Sequence, residues 1–254
     1  REVVGRGKEA HEKWTLQYNA WRDSHAEKAA LLDRILAEKL PDDFDAAIPV
    51  FETGTSVATR VASGKVINAI CAGLPELFGG SADLASSVKT WMDKVPAFSS
   101  ETPEGRNMHF GVREISMGAV GNGLQVHGGF IPYVSTFLVF SDYARGSIRV
   151  AALSKMGVIW VLTHDSIAVG EDGPTHQPIE HVMSLRLIPD LVVLRPGDAN
   201  EVSEAWKYAV EHRDEEVALI LSRQNLPTFD RNVCKPAKGV AKGGYILYET
   251  EEGT

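Results

Sequence analysis

Hydrophobic positions along the chain change their spacing near residue 58. Over residues 7–40, which are rich in Ala, Glu, Lys and Leu, Trp14, Leu16, Tyr18 and Trp21, then Ala29, Leu32 and Ile35, recur with a partial helical period. Two helices are expected there, stopped by Pro41-Asp42-Asp43, and residues 42–56, with Pro49, Gly54 and no clean period, read as a linker. Beyond it, amphipathic stretches alternate with short apolar runs. Ala58, Val61, Ala62, Val66, Ala69 and Ile70 share one helical face, and Leu77-Phe78 run into a polar turn, Gly79-Gly80-Ser81-Ala82-Asp83. Residues 86–108 read as a long surface loop with room for a short helix at 88–92. A small-residue helix is expected from Glu114, where Gly118, Ala119, Gly121 and Gly123 would admit a close neighbour. An apolar stretch at 130–140 precedes a helix from Ser141 or Asp142, and strands are expected at 158–162, 191–194 and 217–221. A helix is expected near 179–187. Another follows Asp198, which forms a capping-box pattern with Glu201, and buries Val202, Ala205, Trp206, Ala209 and Val210. A last strand is expected at 243–248.

Continuous apolar strands between amphipathic helices predict an α/β fold, a parallel β-sheet with helices on both faces. The 254 residues fit one large domain or one plus an appendage, at roughly 150 residues per domain. Hydrophobic residues at 44% and charged residues at 24% exclude disorder as the main state. A net charge of −8 argues against a nucleic-acid partner. No apolar run reaches the ~20 residues needed to span a bilayer, and no apolar signal core follows Arg1. Cys71 and Cys234 suit neither a disulfide framework nor a zinc knuckle, so a cytoplasmic setting with free thiols is expected. The abrupt start and the late strand suggest a piece of a longer protein.

In open parallel sheets, ligands bind at the carboxyl ends of the strands. Four polar clusters are expected there: Gly80-Ser81-Ala82-Asp83, Thr163-His164-Asp165-Ser166, Arg195-Pro196-Gly197-Asp198 and Ser222-Arg223-Gln224-Asn225. The stretch Val169-Gly170-Glu171-Asp172-Gly173-Pro174-Thr175-His176-Gln177-Pro178 has the composition of a rigid polar loop suited to holding a substrate. Phosphate-loop, dinucleotide, nucleophile-elbow and zinc-helix patterns all fail. Glu114, at the start of its helix, has an adequate structural reason in the helix dipole. The alternative is a buried acid that trades a proton with a bound ring.

Together these stretches resemble the transketolase family. The likeness runs from about Trp14 to Asn225 and rests on Gly80-Ser81-Ala82-Asp83-Leu84, Phe110-Gly111-Val112-Arg113-Glu114, Asn122-Gly123, Thr136-Phe137-Leu138-Val139-Phe140, Thr163-His164-Asp165-Ser166, residues 170–178, and Leu221-Ser222-Arg223-Gln224-Asn225. The resemblance implies a thiamine-diphosphate-dependent transferase of the pentose phosphate pathway. It would move a two-carbon ketol unit from a ketose phosphate to an aldose phosphate. The implied divisions are a helical linker over 1–54, a pyrimidine-binding domain over 55–235, and a linker with the start of a C-terminal domain over 236–254.

The same resemblance implies roles for particular residues. Glu114 matches the glutamate that hydrogen-bonds N1′ of the aminopyrimidine and activates the cofactor. Phe137, Phe140 and Tyr143 match aromatics around the pyrimidine. Asp172 and His176 match residues on the sugar hydroxyls, with His176 also expected to be catalytic. Arg60, Ser87, His164 and Arg223 match the group on the substrate phosphate, and Asp83 an acid near the mouth.

The Gly-Asp-Gly motif that holds the diphosphate and Mg²⁺ or Ca²⁺ in this family is absent, so no metal ligand is expected in this chain. The family builds each site between two subunits. This chain is therefore expected to supply half a site, inactive alone, facing the diphosphate-binding domain of a second subunit in a homodimer. Ile115 departs from the pattern without evident consequence. The alternatives are dihydroxyacetone synthase, a relative sharing these motifs, and a non-catalytic binding or dimerisation module of the same fold.

Overall fold

The computed structural model describes residues 2–250. The chain divides into two compact units, Arg1–Leu40 and Pro41–Thr254. In the first, α1 (Glu2–Ser24) and α2 (Ala26–Leu36) are joined by a bidentate pair, Arg22 to Asp33, at 2.6 and 2.7 Å. The periodic aromatics of α1 form a ladder in which Trp14 and Tyr18 stack at 4.8 Å.

The second unit opens with β1 (Ser56–Ala58) and α3 (Thr59–Ile70), then β2 (Leu77–Ser81), a short α4 (Ala85–Val88) and β3 (Asn107–His109). Next come α5 (Glu114–His127), β4 (Ile131–Phe137), α6 (Ser141–Leu153), β5 (Ile159–Thr163) and α7 (His181–Arg186). β6 (Leu191–Leu194), α8 (Ala199–Glu211), β7 (Glu216–Leu221) and β8 (Asn225–Pro227) follow. Six strands form a sheet in the order β3-β2-β4-β5-β7-β6, and every pairing is parallel. A two-stranded antiparallel ribbon pairs β1 with β8.

Strands β2, β4, β5 and β7 are buried along their whole length, and β5 and β7 accordingly read as continuous apolar runs rather than alternating ones, whereas Gly79, Gly80 and Ser81, which read as a turn, extend β2. One core gathers Met117 of α5 and Ala144 and Ile148 of α6 against Val134, Trp160, Leu162 and Ile220 of the sheet. Elsewhere α3 and α8 pack together, tied by Trp206 Nε1 donating to Ser63 Oγ at 2.8 Å, with Tyr133 edge-on to Trp206. Asp198 caps α8 by accepting from the Glu201 N–H at 2.8 Å, and Glu201 returns the contact to the Gly197 N–H at 2.7 Å. The reciprocal cap therefore forms, with the second contact one residue earlier than in the usual box.

Three expectations change. Residues 243–248 form no strand. Tyr245 packs on Gly239 and hydrogen-bonds Glu201 at 2.5 Å, and Leu247 accepts from the Lys235 N–H at 2.9 Å, so this segment folds back along its own approach. The stretch 86–108 is only partly a surface loop, because Val88, Thr90, Met92 and Asn107 are buried. Asn107 ties the turn, accepting from Met92 N and donating to Met92 O and Val95 O. The small face of α5 divides: Gly118 and Gly121 are buried, while Ala119 and Gly123 are exposed. A Cβ on Gly118 would run into Ser147 of α6 and the Trp160 ring, so its lack of a side chain sets the α5–α6 approach. Both cysteines are free. Among the described residues no helix is long and apolar enough to cross a membrane.

Candidate functional site

The carboxyl ends of β2, β5, β6 and β7 carry the polar clusters and that of β4 the aromatic pair, and the structure brings most of the candidate residues together there. The first turn of α3 is capped from β7. Ser222 Oγ accepts the Thr59 N–H at 3.0 Å, and Thr59 Oγ1 accepts the Ser222 N–H at 2.6 Å. Arg60 and Arg223, the next residues along, are thereby held close enough that Arg223, after burial, lowers the Arg60 pKa, while Asp172 opposes it. The Arg60 guanidinium donates to the Ser87 carbonyl, and its buried Nε has no hydrogen-bond partner.

His164 follows β5 in a left-handed backbone conformation, φ 61°, unusual for a residue with a side chain and of the kind that accumulates at functional sites. Its buried ring stacks on Phe137 with centroids 3.7 Å apart, and its Nδ1 lies 2.9 Å from Thr163 Oγ1. Burial, reinforced by the charge of Arg60, pushes the His164 pKa down to about 4, and Asp172, Arg223 and His176 also act on it. Phe137 and Phe140 are near-parallel at 5.9 Å, and His176 stands edge-on to both, 6.0 Å from Phe137 and 5.3 Å from Phe140. Tyr143 lies 6.0 Å beyond Phe140 and is exposed.

The loop that carries Asp172 and His176 turns at Gly173, φ 79°, where a side chain would be strained. Thr175 Oγ1 and His176 Nδ1 are 2.8 Å apart. Asp83 also adopts a left-handed conformation, φ 61°, in the exposed turn after β2.

Glu114 is the first residue of α5 and is 7% exposed. The helix has no side-chain cap. Instead Glu114 Oε1 accepts from Thr136 Oγ1 at 3.4 Å, a long contact for an O–H···O pair. A buried carboxylate so weakly satisfied suits a ligand that donates or shares a proton better than a purely structural cap. Thr136 lies beside Phe137, so one strand end contacts both the acid and the aromatic wall.

Several pairings carry no signal in the sequence, although the residues stand in the polar clusters or the motifs. Asp165 accepts both Nε and Nη2 of Arg195, at 3.1 and 2.8 Å, and braces the turn that holds His164. Thr136 and Ser222 lie within recognised motifs, but their partners are distant in sequence. Among the described residues, one group could hold a cation: Asp142, Glu180 and His181 place donor atoms within 4.8 Å of one another. His181 Nε2 already pairs with Asp142 there, at 3.1 Å.

The pyrimidine-binding domain model of transketolase matches residues 55–228. The chain belongs to the transketolase family. It is 53% identical over 249 residues to the transketolase of Geobacillus stearothermophilus, covering 98% of this chain and 37% of that protein. A crystal structure of Pichia stipitis transketolase in complex with sedoheptulose-7-phosphate superposes with a TM-score of 0.92 at 39% identity, covering 99% of this chain and 38% of that one. A split-gene transketolase described as an inactive β4 tetramer matches with a TM-score of 0.56 at 31% identity, over 70% of this chain and 56% of that chain. The chain thus spans little more than a third of the full-length transketolases it matches, and the parallel sheet with flanking helices is the fold of their pyrimidine domain.

Proposed function

We propose that this chain supplies the pyrimidine half of a transketolase active site, working in a longer protein that transfers a two-carbon ketol unit between sugar phosphates. The observation that carries this reading is the buried, weakly satisfied Glu114 held by Thr136, the residue before Phe137, at a sheet end that also carries an aromatic wall and a cluster of two arginines and two histidines. Thiamine diphosphate, when bound, supplies the nucleophilic carbon and the electron sink for carbon–carbon cleavage. The residues present fit its pyrimidine. Glu114 shares a proton with a ring nitrogen, and Phe140, with Phe137 and Tyr143 around it, offers an aromatic face.

His176 and Asp172 hold the hydroxyls of the sugar, with His176 close enough to Phe140 to act at the reacting carbons. Arg60, His164 and Arg223, with Ser87 alongside, take the phosphate through charge-assisted hydrogen bonds, and the free Nε of Arg60 is a ready donor. A phosphate entering there would also favour a proton on His164. Asp83 contributes selection at the mouth.

The diphosphate and its Mg²⁺ or Ca²⁺ belong to a second domain, reached by homodimerisation of the full-length cytoplasmic protein. In this reading residues 1–54 form a helical linker, 55–235 the pyrimidine domain, and 236–254 the passage to a further domain. The relatives reported above are all transketolases, which favours this activity over dihydroxyacetone synthase. A separately encoded transketolase chain described as inactive supports an inactive isolated half.

The test is Glu114→Gln in the full-length protein. Turnover should fall about 10²–10⁴-fold, the usual contribution of a positioned proton-transfer group, with the melting temperature unchanged. Near-wild-type turnover overturns the role of Glu114. Arg60→Leu should raise KM for a phosphorylated ketose at least about tenfold and leave a phosphate-free donor unaffected.

A further inference from the structure

The first turn of α6 grips the first turn of α7. His181, buried at the start of α7, places Nε2 3.1 Å from Asp142 Oδ2. Arg145, on the same turn as Asp142, donates through Nη1 to Ser184 Oγ and through Nη2 to the Ser184 carbonyl, both at 3.0 Å. Ser184 Oγ donates in turn to the His181 carbonyl at 3.0 Å. Three side-chain contacts thus cross between the helices, and a fourth locks the receiving turn. The pair engages Nε2 and leaves Nδ1, the other ring nitrogen, outside it. That buried Nδ1 has no hydrogen-bond partner, and its nearest acid is Glu180 at 3.9 Å.

These helices flank the site. Asp142 lies two residues after Phe140, and His181 five residues after His176. The hydrogen bonds within the intervening loop are local ones: His176 N–H to the Gly173 carbonyl at 3.0 Å, Thr175 to His176 at 2.8 Å, and Gln177 to the Ile167 carbonyl at 3.4 Å. Such bonds shape the loop without tying it to the wall it faces. The α6–α7 contacts supply that tie.

We propose that Asp142 and His181 are positioning residues. Their pairing holds the 170–178 loop, and with it Asp172 and His176, at working distance from Phe140. This rests on the reading of that loop as sugar-binding. Misplacement of about 1 Å by a residue remote from the chemistry is enough to cost up to about a hundredfold in rate.

The experiment uses the full-length protein. Asp142→Leu and His181→Leu remove the contact, while Asp142→Asn and His181→Gln keep an acceptor and a donor in place. Both leucine variants should raise KM for the ketose donor about tenfold. They should also speed amide hydrogen exchange over residues 170–180, with apparent affinity for thiamine diphosphate unchanged. The amide variants should restore both readouts. The Asp142 side chain is 57% exposed, so Asp142→Leu spares the core, and a melting curve checks this. Ser184→Ala, which removes the Arg145 contact on the hydroxyl and the hydroxyl's bond to the His181 carbonyl but keeps the Asp142–His181 pair, should speed exchange over the same residues to a lesser degree.

Wild-type exchange and wild-type KM in both leucine variants overturn the proposal. Faster exchange with unchanged KM overturns positioning if His176→Ala raises KM. If His176→Ala leaves KM unchanged too, the sugar-binding reading of the loop is what fails, and the tether itself stands.

Discussion

Ser222 and Thr59 exchange hydrogen bonds across 163 positions of sequence: Ser222 Oγ accepts from Thr59 N at 3.0 Å and Thr59 Oγ1 accepts from Ser222 N at 2.6 Å. Ala58, the N-cap of α3, has no side chain that could do this. The cap therefore comes from another strand, and it sets Arg60 beside Arg223. Ser222→Ala should lower stability by about 1–3 kcal/mol, the cost of leaving a buried N–H unpaired. A lower urea midpoint with an unchanged slope would show it, and an unchanged midpoint would refute it.

His164 makes stability depend on acid. Burial and then the charge of Arg60 lower its folded pKa from 6.5 to about 4, so between those values the unfolded chain binds the extra proton. The contribution is fully present above pH 6.5 and is lost as pH falls toward 4. His164→Gln should flatten that part of the profile, by up to about 3 kcal/mol. Urea titrations of both proteins at pH 7.5 and 4.5 test this; parallel losses in the two would contradict it.

Glu216 acts in the opposite sense. It is fully buried at the start of β7, its Oε1 accepting from Trp160 Nε1 at 2.7 Å. Burial raises its pKa from 4.5 to about 9. Here the folded chain binds the extra proton, so the stabilisation is complete below pH 4.5 and drains away as pH rises toward 9. Glu216→Gln keeps the acceptor for Trp160 and removes the ionisable group. The variant should gain on the parent between pH 5 and 8.5 in thermal melts. A constant difference across that range would count against a neutral carboxyl in the core.

The glycines of α5 should respond in opposite directions. A Cβ at Gly118 would lie 2.8 Å from the Trp160 ring, whereas nothing lies within 4 Å of one at Gly123. Gly118→Val should cost about 1–3 kcal/mol as an overpacked core substitution. Gly123→Ala should stabilise by about 0.5–1 kcal/mol through helix propensity. Chemical denaturation of the two variants checks both signs.

Much of the fold was legible in local pattern. The apolar run Leu191-Val192-Val193-Leu194 is β6 over the same residues, and the cap at Asp198 opens α8 where the Asp198–Glu201 spacing placed it. Both signals lie within a few residues of each other, where backbone preference decides. The expectation of a strand at 243–248 failed because apolar residues make a strand only when an edge pairs with them. The stretch 86–108 is more buried than its polar pattern predicts because Asn107, a polar residue, does the work of a core residue there.

The sequence by itself determined which chemically capable groups are present: the acid Glu114, the rings Phe137 and Phe140, and the cations His164 and Arg223 stand in recognisable motifs, while Arg60 stands outside them on an ordinary helical stretch. Only the tertiary structure decided which groups meet. Ser222 caps Thr59, Thr136 faces Glu114, and Asp142 holds His181 because the parallel sheet, the β1–β8 ribbon and the helices packed around them bring together segments that are far apart in the chain. Residue types and local spacing carry propensity, while contacts across tens of residues depend on register and packing that no local pattern records.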